Sequence, residues 1–314
     1  MTQLSSTQNI LYPGGENWVD IVQQLQDSIC EALETVDGRA KFKEDDWQRE
    51  EGGGGKTRVI ENGNIFEKGG VNISVVHGDV TGLMRQQLNI EGSKWFASGM
   101  SIVIHPLNPF VPTVHCNYRM FLLYDEEMNI IDQWFGGGTD LTPYYLIEED
   151  AVHFHSTYKN ICEAFETGFY NDCKLNCDDY FVNRHRNNER RGIGGIFYDY
   201  KRPDENKSVN DWMNFGNDCG KAFTEAYIPI VKKRYAMPFN AQNRYWQEIR
   251  RGRYIEFNLI HDRGTLFGLK TNGRTESILM SLPPTARFDY NFELAKGSEE
   301  DKLLQACLHP RQWV

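Results

Sequence analysis

Three consecutive segments read as strands, with apolar residues two apart: "MSIVIHP" (100–106), "HCNYRMFLLYD" (115–125) and "MNIIDQWF" (128–135). Period-two alternation suits a pleated strand with one face buried, and it leaves no continuous stripe for a helix. The connections are short and rich in turn residues, which joins neighbours antiparallel. "VNISVVHG" (71–78) reads the same way. The centre of the chain therefore has to form an antiparallel sheet. Helical periodicity flanks it. Trp18, Val22, Leu25, Ile29, Leu33 and Val36 make one stripe ended by Asp37-Gly38. Helical patterns also cover 148–170, 173–186, 208–236 and a short piece at 241–251. "RYIEFNLI" (253–260), "TLFGLKT" (265–271) and "ESILMSLP" (276–283) read as returning strands. With no repeat and no linker, this predicts one α+β domain over residues 1–314: a large, mainly antiparallel sheet sandwiched between helical layers, after a flexible segment at 1–16.

Composition removes several functional classes. A net charge of −10 speaks against a nucleic-acid partner. No apolar run reaches the length of a membrane span. The N-terminal 18 residues lack the basic and apolar regions of a signal peptide and the arginines of a transit peptide, so a cytoplasmic location is expected. Seven scattered cysteines fit a reducing compartment, and Cys173 and Cys177 read as one helix face. "EGGGGKTR" (51–58) imitates a phosphate loop, but Glu50 stands where the first glycine belongs and the preceding stretch is acidic rather than a strand. It reads as a mobile glycine-rich loop. Neither HExxH nor GxSxG occurs, and no GxGxxG follows a strand and opens a helix.

The chemistry-bearing residues fall in four places. Residues two apart share a strand face, so His115, Asn117 and Arg119 point one way while Cys116, Tyr118, Met120 and Leu122 point the other. Ser101, Val103 and His105 likewise share a face. If these strands pair, one face carries Ser, two His, Asn and Arg, as either a binding surface or a wet side. Asp140 follows Gly136-Gly137-Gly138 among aromatic residues. It is either a desolvated carboxylate needing donors or the cap of a turn. Arg184, His185, Arg186, Arg190 and Arg191 crowd one short stretch, as a site or a solvated helix end. Arg274 sits in a glycine-containing turn, suited to a carboxylate but common on surfaces.

Long blocks of the chain resemble a known family. "GGGGKTRVIENGNIFEKGGVNIS", "HPLNPFVPTVHCNYRMF", "WFGGGTDLTPYY", "HRNNERRGIGGIFYD" and "RRGRYIEFNLIHDRGTLFGLKTNGRTESILMSLPP" look like the oxygen-dependent coproporphyrinogen-III oxidases, from about residue 17 to 292. The resemblance implies an enzyme of haem biosynthesis that converts two propionates of coproporphyrinogen III to vinyl groups, giving protoporphyrinogen IX. Molecular oxygen would be the oxidant, and no cofactor would be required. It implies a homodimer with its contact in 250–285, and a flexible glycine-rich element near the cleft at 52–55. Ser101, Asn117, Tyr118, Arg119, Asn272, Gly273 and Arg274 fall on substrate-contact positions. Asn272 departs from a glycine common in bacterial members. His115 falls on a proton donor, and Asp140 on an aspartate holding pyrrole N–H groups. His105, His115, His155 and His185 fall on positions described as ligands of a divalent metal in some members. Two alternatives carry the same residues: a non-catalytic tetrapyrrole carrier and a metal-dependent hydrolase.

Overall fold

The computed structural model describes residues 12–270 and 273–314; 1–11, most of the segment expected to be flexible, and Asn272 lie outside the described residues. In chain order the elements are α1 (Glu16–Asp37), β1 (Lys43–Gln48), β2 (Gly53–Glu61), β3 (Phe66–Asp79), α2 (Gly82–Leu88), β4 (Lys94–Pro106), β5 (Thr113–Tyr124) and β6 (Ile130–Thr142). Then come α3 (Glu148–Phe165), α4 (Phe169–Tyr180), β7 (Val182–Asn183), β8 (Glu189–Arg190), β9 (Gly195–Lys201), α5 (Val209–Arg234), α6 (Ala241–Ile260), α7 (Arg263–Lys270), α8 (Thr275–Leu279) and α9 (Glu299–Leu308). Seven strands form one antiparallel sheet in the order β1-β2-β3-β4-β5-β6-β9, as the alternating segments require. β7 and β8 pair separately.

The first face of the sheet is apolar. Met100, Ile102, Val114, Cys116, Tyr118, Met120, Leu141 and Ile196 join the main core with residues of α1, α3 and α5. α1 is tied down by polar contacts as well: Trp18 Nε1 donates to Ser98 O at 3.0 Å and Gln26 Nε2 to Val71 O at 2.9 Å. The edges are protected differently. β1 is charged and mostly exposed, whereas α4 packs along β9.

Four expectations change. "RYIEFNLI" is the end of α6, not a strand. Trp246, Ile249, Arg250, Tyr254 and Phe257 are buried at helical spacing. The buried arginine breaks an apolar-only pattern, so period two looked as good. An Asn240–Asn243 capping box starts this helix. Residues 265–270 lie instead in α7 and 276–279 in α8, while Thr271 lies outside the described residues. α7 buries none of its residues, so it carries no clear stripe for a reader to find. The helix expected over 173–186 stops at Tyr180, where β7 begins. Gly53–Gly55 is not a loop but lies within β2, and Gly136–Gly138 lies within β6. A Cβ on Gly55 would stand 2.4 Å from the Trp47 ring, so this glycine serves close packing. Lys56 pairs with Glu44 at 2.7 Å rather than facing a ligand.

Candidate active site

The second face of the sheet is apolar at one end, where Phe121, Leu123 and Trp134 cluster with Met84 of α2, and polar across its middle, where the rungs can be read across the strands. One runs Asn72–Ser101–Asn117–Gly138, from β3 to β6. The next on one side is Ser74–Gly99–Arg119–Gly136, and on the other Gly70–Val103–His115–Asp140. Small or short side chains dominate, which leaves a shallow floor. The end of α6, with α7 and α8, stands over it. The Ser101 hydroxyl, the Asn117 amide nitrogen and His115 Nε2 have no hydrogen-bond partner among the described residues, and all three residues are half-buried. Donors and acceptors left open in a half-buried cleft are what a polar ligand uses.

Asp140 sits at the deep end of this floor, 1% exposed. It caps no turn. Arg191 grips both its oxygens at 2.8 and 2.9 Å, and His115 Nδ1 donates to Oδ1 at 2.8 Å. Burial pushes the carboxyl up, but the Arg191 charge and the His115 bond hold it below its ordinary value. Arg191 is itself buried against the rings of Phe181, Tyr254 and Phe257, at 4.2, 4.7 and 5.0 Å from their centroids. Its NH1 donates to Asn258 at 2.9 Å. The Nδ1 bond to Asp140 fixes the His115 ring and turns Nε2 away from the carboxylate toward the cleft.

Two arginines bracket the floor. Arg119 donates to Asn117 Oδ1 at 2.7 Å and pairs with Asp199 at 2.8 Å, its guanidinium 5.9 Å from the centre of the Trp134 ring. Arg274 pairs with Asp45 at 2.6 Å and donates to Ser277 at 3.0 Å. β1 and β5 are four strands apart, so these two anchors lie on the order of 19 Å from each other. Gly273 is held in the α7–α8 connection by its N–H to Gly268 O, 2.7 Å. Tyr118 is separate from this group. Its side chain lies in the first-face core, bonded to Thr139.

The four histidines do not gather. His105 is buried on the second face; its Nε2 donates to Ser281 O at 2.8 Å and its Nδ1 is 3.2 Å from the Thr113 hydroxyl. His155 is buried in the first-face core, between Tyr170 at 2.8 Å and Ile193 O at 3.2 Å. Burial pushes His155 down to about 3 and His105 well below the ordinary value, so both rings are neutral. In each, the carbonyl takes the N–H and a hydroxyl takes the lone pair. His185 lies between His261 and Glu256, at 2.8 and 2.9 Å. A metal ligand must offer a free ring lone pair, so this set does not fit a shared ion. Among the described residues no three His, Cys, Asp or Glu side chains are grouped to hold one.

The family model for coproporphyrinogen III oxidase matches residues 17–313. The chain belongs to the coproporphyrinogen III oxidase family. It is 48% identical over 310 residues to coproporphyrinogen-III oxidase 1, chloroplastic, of Arabidopsis thaliana, covering 94% of this chain and 78% of the relative. It is 47% identical over 322 residues to the oxygen-dependent coproporphyrinogen-III oxidase of Prochlorococcus marinus (strain MED4), covering 95% and 92%. A soybean relative, named an oxygen-dependent coproporphyrinogen-III oxidase, chloroplastic, is 48% identical over 309 residues, with 94% and 78% covered.

Within this family member, sequence reasoning found the polar face, named Arg191 only as one of five charged neighbours, and missed Thr57. Arg191 was hidden in a charged stretch whose other members go elsewhere: Arg186 and His185 to Glu256, Arg190 to the Asp178 and Leu308 carbonyls. Its one local signal is the apolar run that follows it. Thr57, which bonds Asn72 at 2.6 Å and Ser277 at 3.0 Å and so ties α8 to the floor, gave no signal beyond strand propensity.

Proposed function

We infer that the chain catalyses the oxygen-dependent oxidative decarboxylation of two propionates of coproporphyrinogen III, giving protoporphyrinogen IX in haem biosynthesis. Identity of 47–48% across more than nine-tenths of the chain to enzymes of that name carries the inference. The polar floor is consistent with it. The substrate is a flexible macrocycle, apolar in the middle and anionic at its rim. Arg119 and Arg274 offer planar forks for propionates. Ser101, Asn117 and their neighbours offer donors between them, with Gly273 and Arg274 at the far side.

For each propionate the balance is simple. The side chain loses a hydride equivalent from the carbon next to the ring, and the resulting cation expels carbon dioxide to leave the vinyl group. Oxygen takes the two electrons and two protons. One of those protons comes from the substrate carbon, so one more must be supplied from outside. His115 Nε2 is the group placed to hand it over. Asp140 fixes that imidazole, and its charge favours the electron-poor pyrrole that forms as the hydride leaves. On this reading the substrate's own electrons reduce oxygen, and no resident cofactor takes part.

A second copy of the chain completes the assembly we propose, with the contact in 250–285. Leu259 and Ile260 at the end of α6 are 40% and 53% exposed, an apolar end that a partner would cover. Among the described residues no helix is long and apolar enough to cross a membrane. A cytoplasmic enzyme is the reading we adopt, in keeping with the buried free thiols.

An aerobic assay on coproporphyrinogen III tests the reaction, following vinyl product and released carbon dioxide with protein dialysed against a chelator. Turnover is expected. Stoichiometric binding without carbon dioxide would instead identify a carrier, and loss of turnover restored by a divalent ion would reject the cofactor-free reading.

A further inference from the structure

Asp199 occupies a place that the backbone is distorted to provide. β6 and β9 pair Phe135 with Lys201 and Gly137 with Tyr198, so Asp199 and Tyr200 together oppose Gly136. This is a β-bulge, a device that re-aims a side chain. Tyr200 adopts φ +53°, a left-handed conformation that costs a non-glycine residue free energy. The Tyr200 N–H in turn donates to Asp199 Oδ1 at 3.0 Å. Gly136 leaves the space: a Cβ there would stand 2.7 Å from Asp199 Oδ1 and 3.0 Å from Arg119 NH2. Bulge, strained tyrosine and glycine all serve one contact, the Asp199–Arg119 pair at 2.8 Å, with Arg263 reaching the second oxygen at 3.2 Å.

We propose that Asp199 is a positioning residue for the substrate: it locks the Arg119 guanidinium so that its remaining N–H edge faces the carboxylate to be bound. Arg119 has a long flexible side chain, and a fork aimed in advance loses less entropy when a carboxylate docks. Asn117 holds NH1 and Asp199 holds NH2, so the plane of the fork is fixed from two directions. Asp199 itself touches no substrate. The proposal rests on Arg119 being a propionate contact, as argued above.

The test separates the two. Steady-state kinetics on coproporphyrinogen III would compare Arg119→Gln, Asp199→Ala, Asp199→Asn and Gly136→Ala, with a melting curve for each. Asp199→Ala is expected to raise KM about tenfold, the weight of one charge-assisted bond, with kcat little changed. Asp199→Asn keeps an acceptor oxygen toward Arg119 and should recover most of that loss. Gly136→Ala pushes the pair apart without removing either charge, and should raise KM in the same way even if Asp199→Ala folds poorly. A lower KM in Asp199→Ala would overturn the proposal, because Asp199 would then be competing with substrate. So would a KM unchanged in both Asp199→Ala and Gly136→Ala while Arg119→Gln raises it. If Arg119→Gln leaves KM unchanged, the propionate contact itself is wrong.

Discussion

The two faces of β5 are made from one dodecapeptide and follow opposite rules from His115 to Arg119, before Phe121 and Leu123 make the second face apolar as well. On the first face Cys116, Tyr118, Met120 and Leu122 are at most 1% exposed and join the main core. On the second, His115, Asn117 and Arg119 stay half-buried, and each is held by a specific partner: Asp140, Arg119 itself, or Asp199. The layers above follow suit. α1, α3 and α5 are fixed mainly by apolar burial. The region from α6 to the residues just after α8 is fixed largely by polar ties: Arg191 to Asn258, Arg251 and Arg244 to Glu67, Lys68 to Leu282 O, His105 to Ser281 O. Apolar burial is non-directional and tolerates small shifts, whereas polar ties fix directions. A fold that must both endure and aim groups at a substrate can assign one requirement to each face.

The largest expected effect lies where the polar face is deepest. Asp140→Ala leaves Arg191 buried with its charge unpaired, which typically costs about 3–5 kcal/mol of stability. It should also lower turnover by roughly 10²–10³, the usual loss when a preorganised charge is removed. The two losses can be separated by a second change. Asp140→Asn combined with Arg191→Gln removes both charges, and should recover most of the stability while leaving the rate low. Denaturant midpoints and kcat per folded molecule measure these directly. A double variant with full turnover would mean that Asp140 does no more than hold the fold.

Next comes the mirror experiment on the apolar face. Phe135 is 2% exposed and meets Trp18 edge to face at 6.1 Å, one residue before the glycine that faces Arg119. Phe135→Ala should cost about 3–5 kcal/mol through lost burial and a cavity. Turnover per folded molecule and KM should stay near those of the parent. A tenfold fall in kcat at full folding would show that the two faces are coupled and break the comparison.

Legibility followed the same division. The sheet was readable because its inward residues are apolar at period two, and the polar set was readable because Ser101, His115, Asn117 and Arg119 interrupt that pattern on one side only. Asp140 could be singled out but not resolved between cap and buried charge, since its donor Arg191 lies 51 residues away and reaches it only in three dimensions. The last quarter was misread for a related reason. α6 buries Gln247, Arg250, Arg251 and Asn258 among its apolar residues, so its inner stripe does not look hydrophobic. Polar residues used as structural ties remove the periodicity on which sequence reading depends. Asp199 gave no signal at all, because a bulge one residue long has no signature in composition.

The smallest effect concerns acid. Glu256 on α6 takes Arg186 at 2.8 and 2.9 Å, Arg253 at 2.9 Å and His185 Nε2 at 2.9 Å. Burial pushes its carboxyl up, but these partners outweigh burial and hold it at about 2, against an ordinary value of 4.5. A carboxyl depressed on folding adds stability that is fully present above its unfolded value and fades as pH falls through the folded one. The contribution from Glu256 should therefore be whole at neutral pH and decline between about pH 4.5 and 2. Glu67 is depressed in the same way: its burial is outweighed by Arg244 and Arg251. The α6 side of the molecule should accordingly loosen before the α1 and α5 side, whose contacts to the sheet are mainly apolar. Amide exchange, corrected for its intrinsic pH dependence, can follow residues 251–260 against 212–231 from pH 7 to 3. Earlier loss of protection in α6 is the expected result, and Glu256→Gln should abolish most of the pH dependence there. Simultaneous loss in both helices would mean that the polar layer and the apolar layer are one cooperative unit.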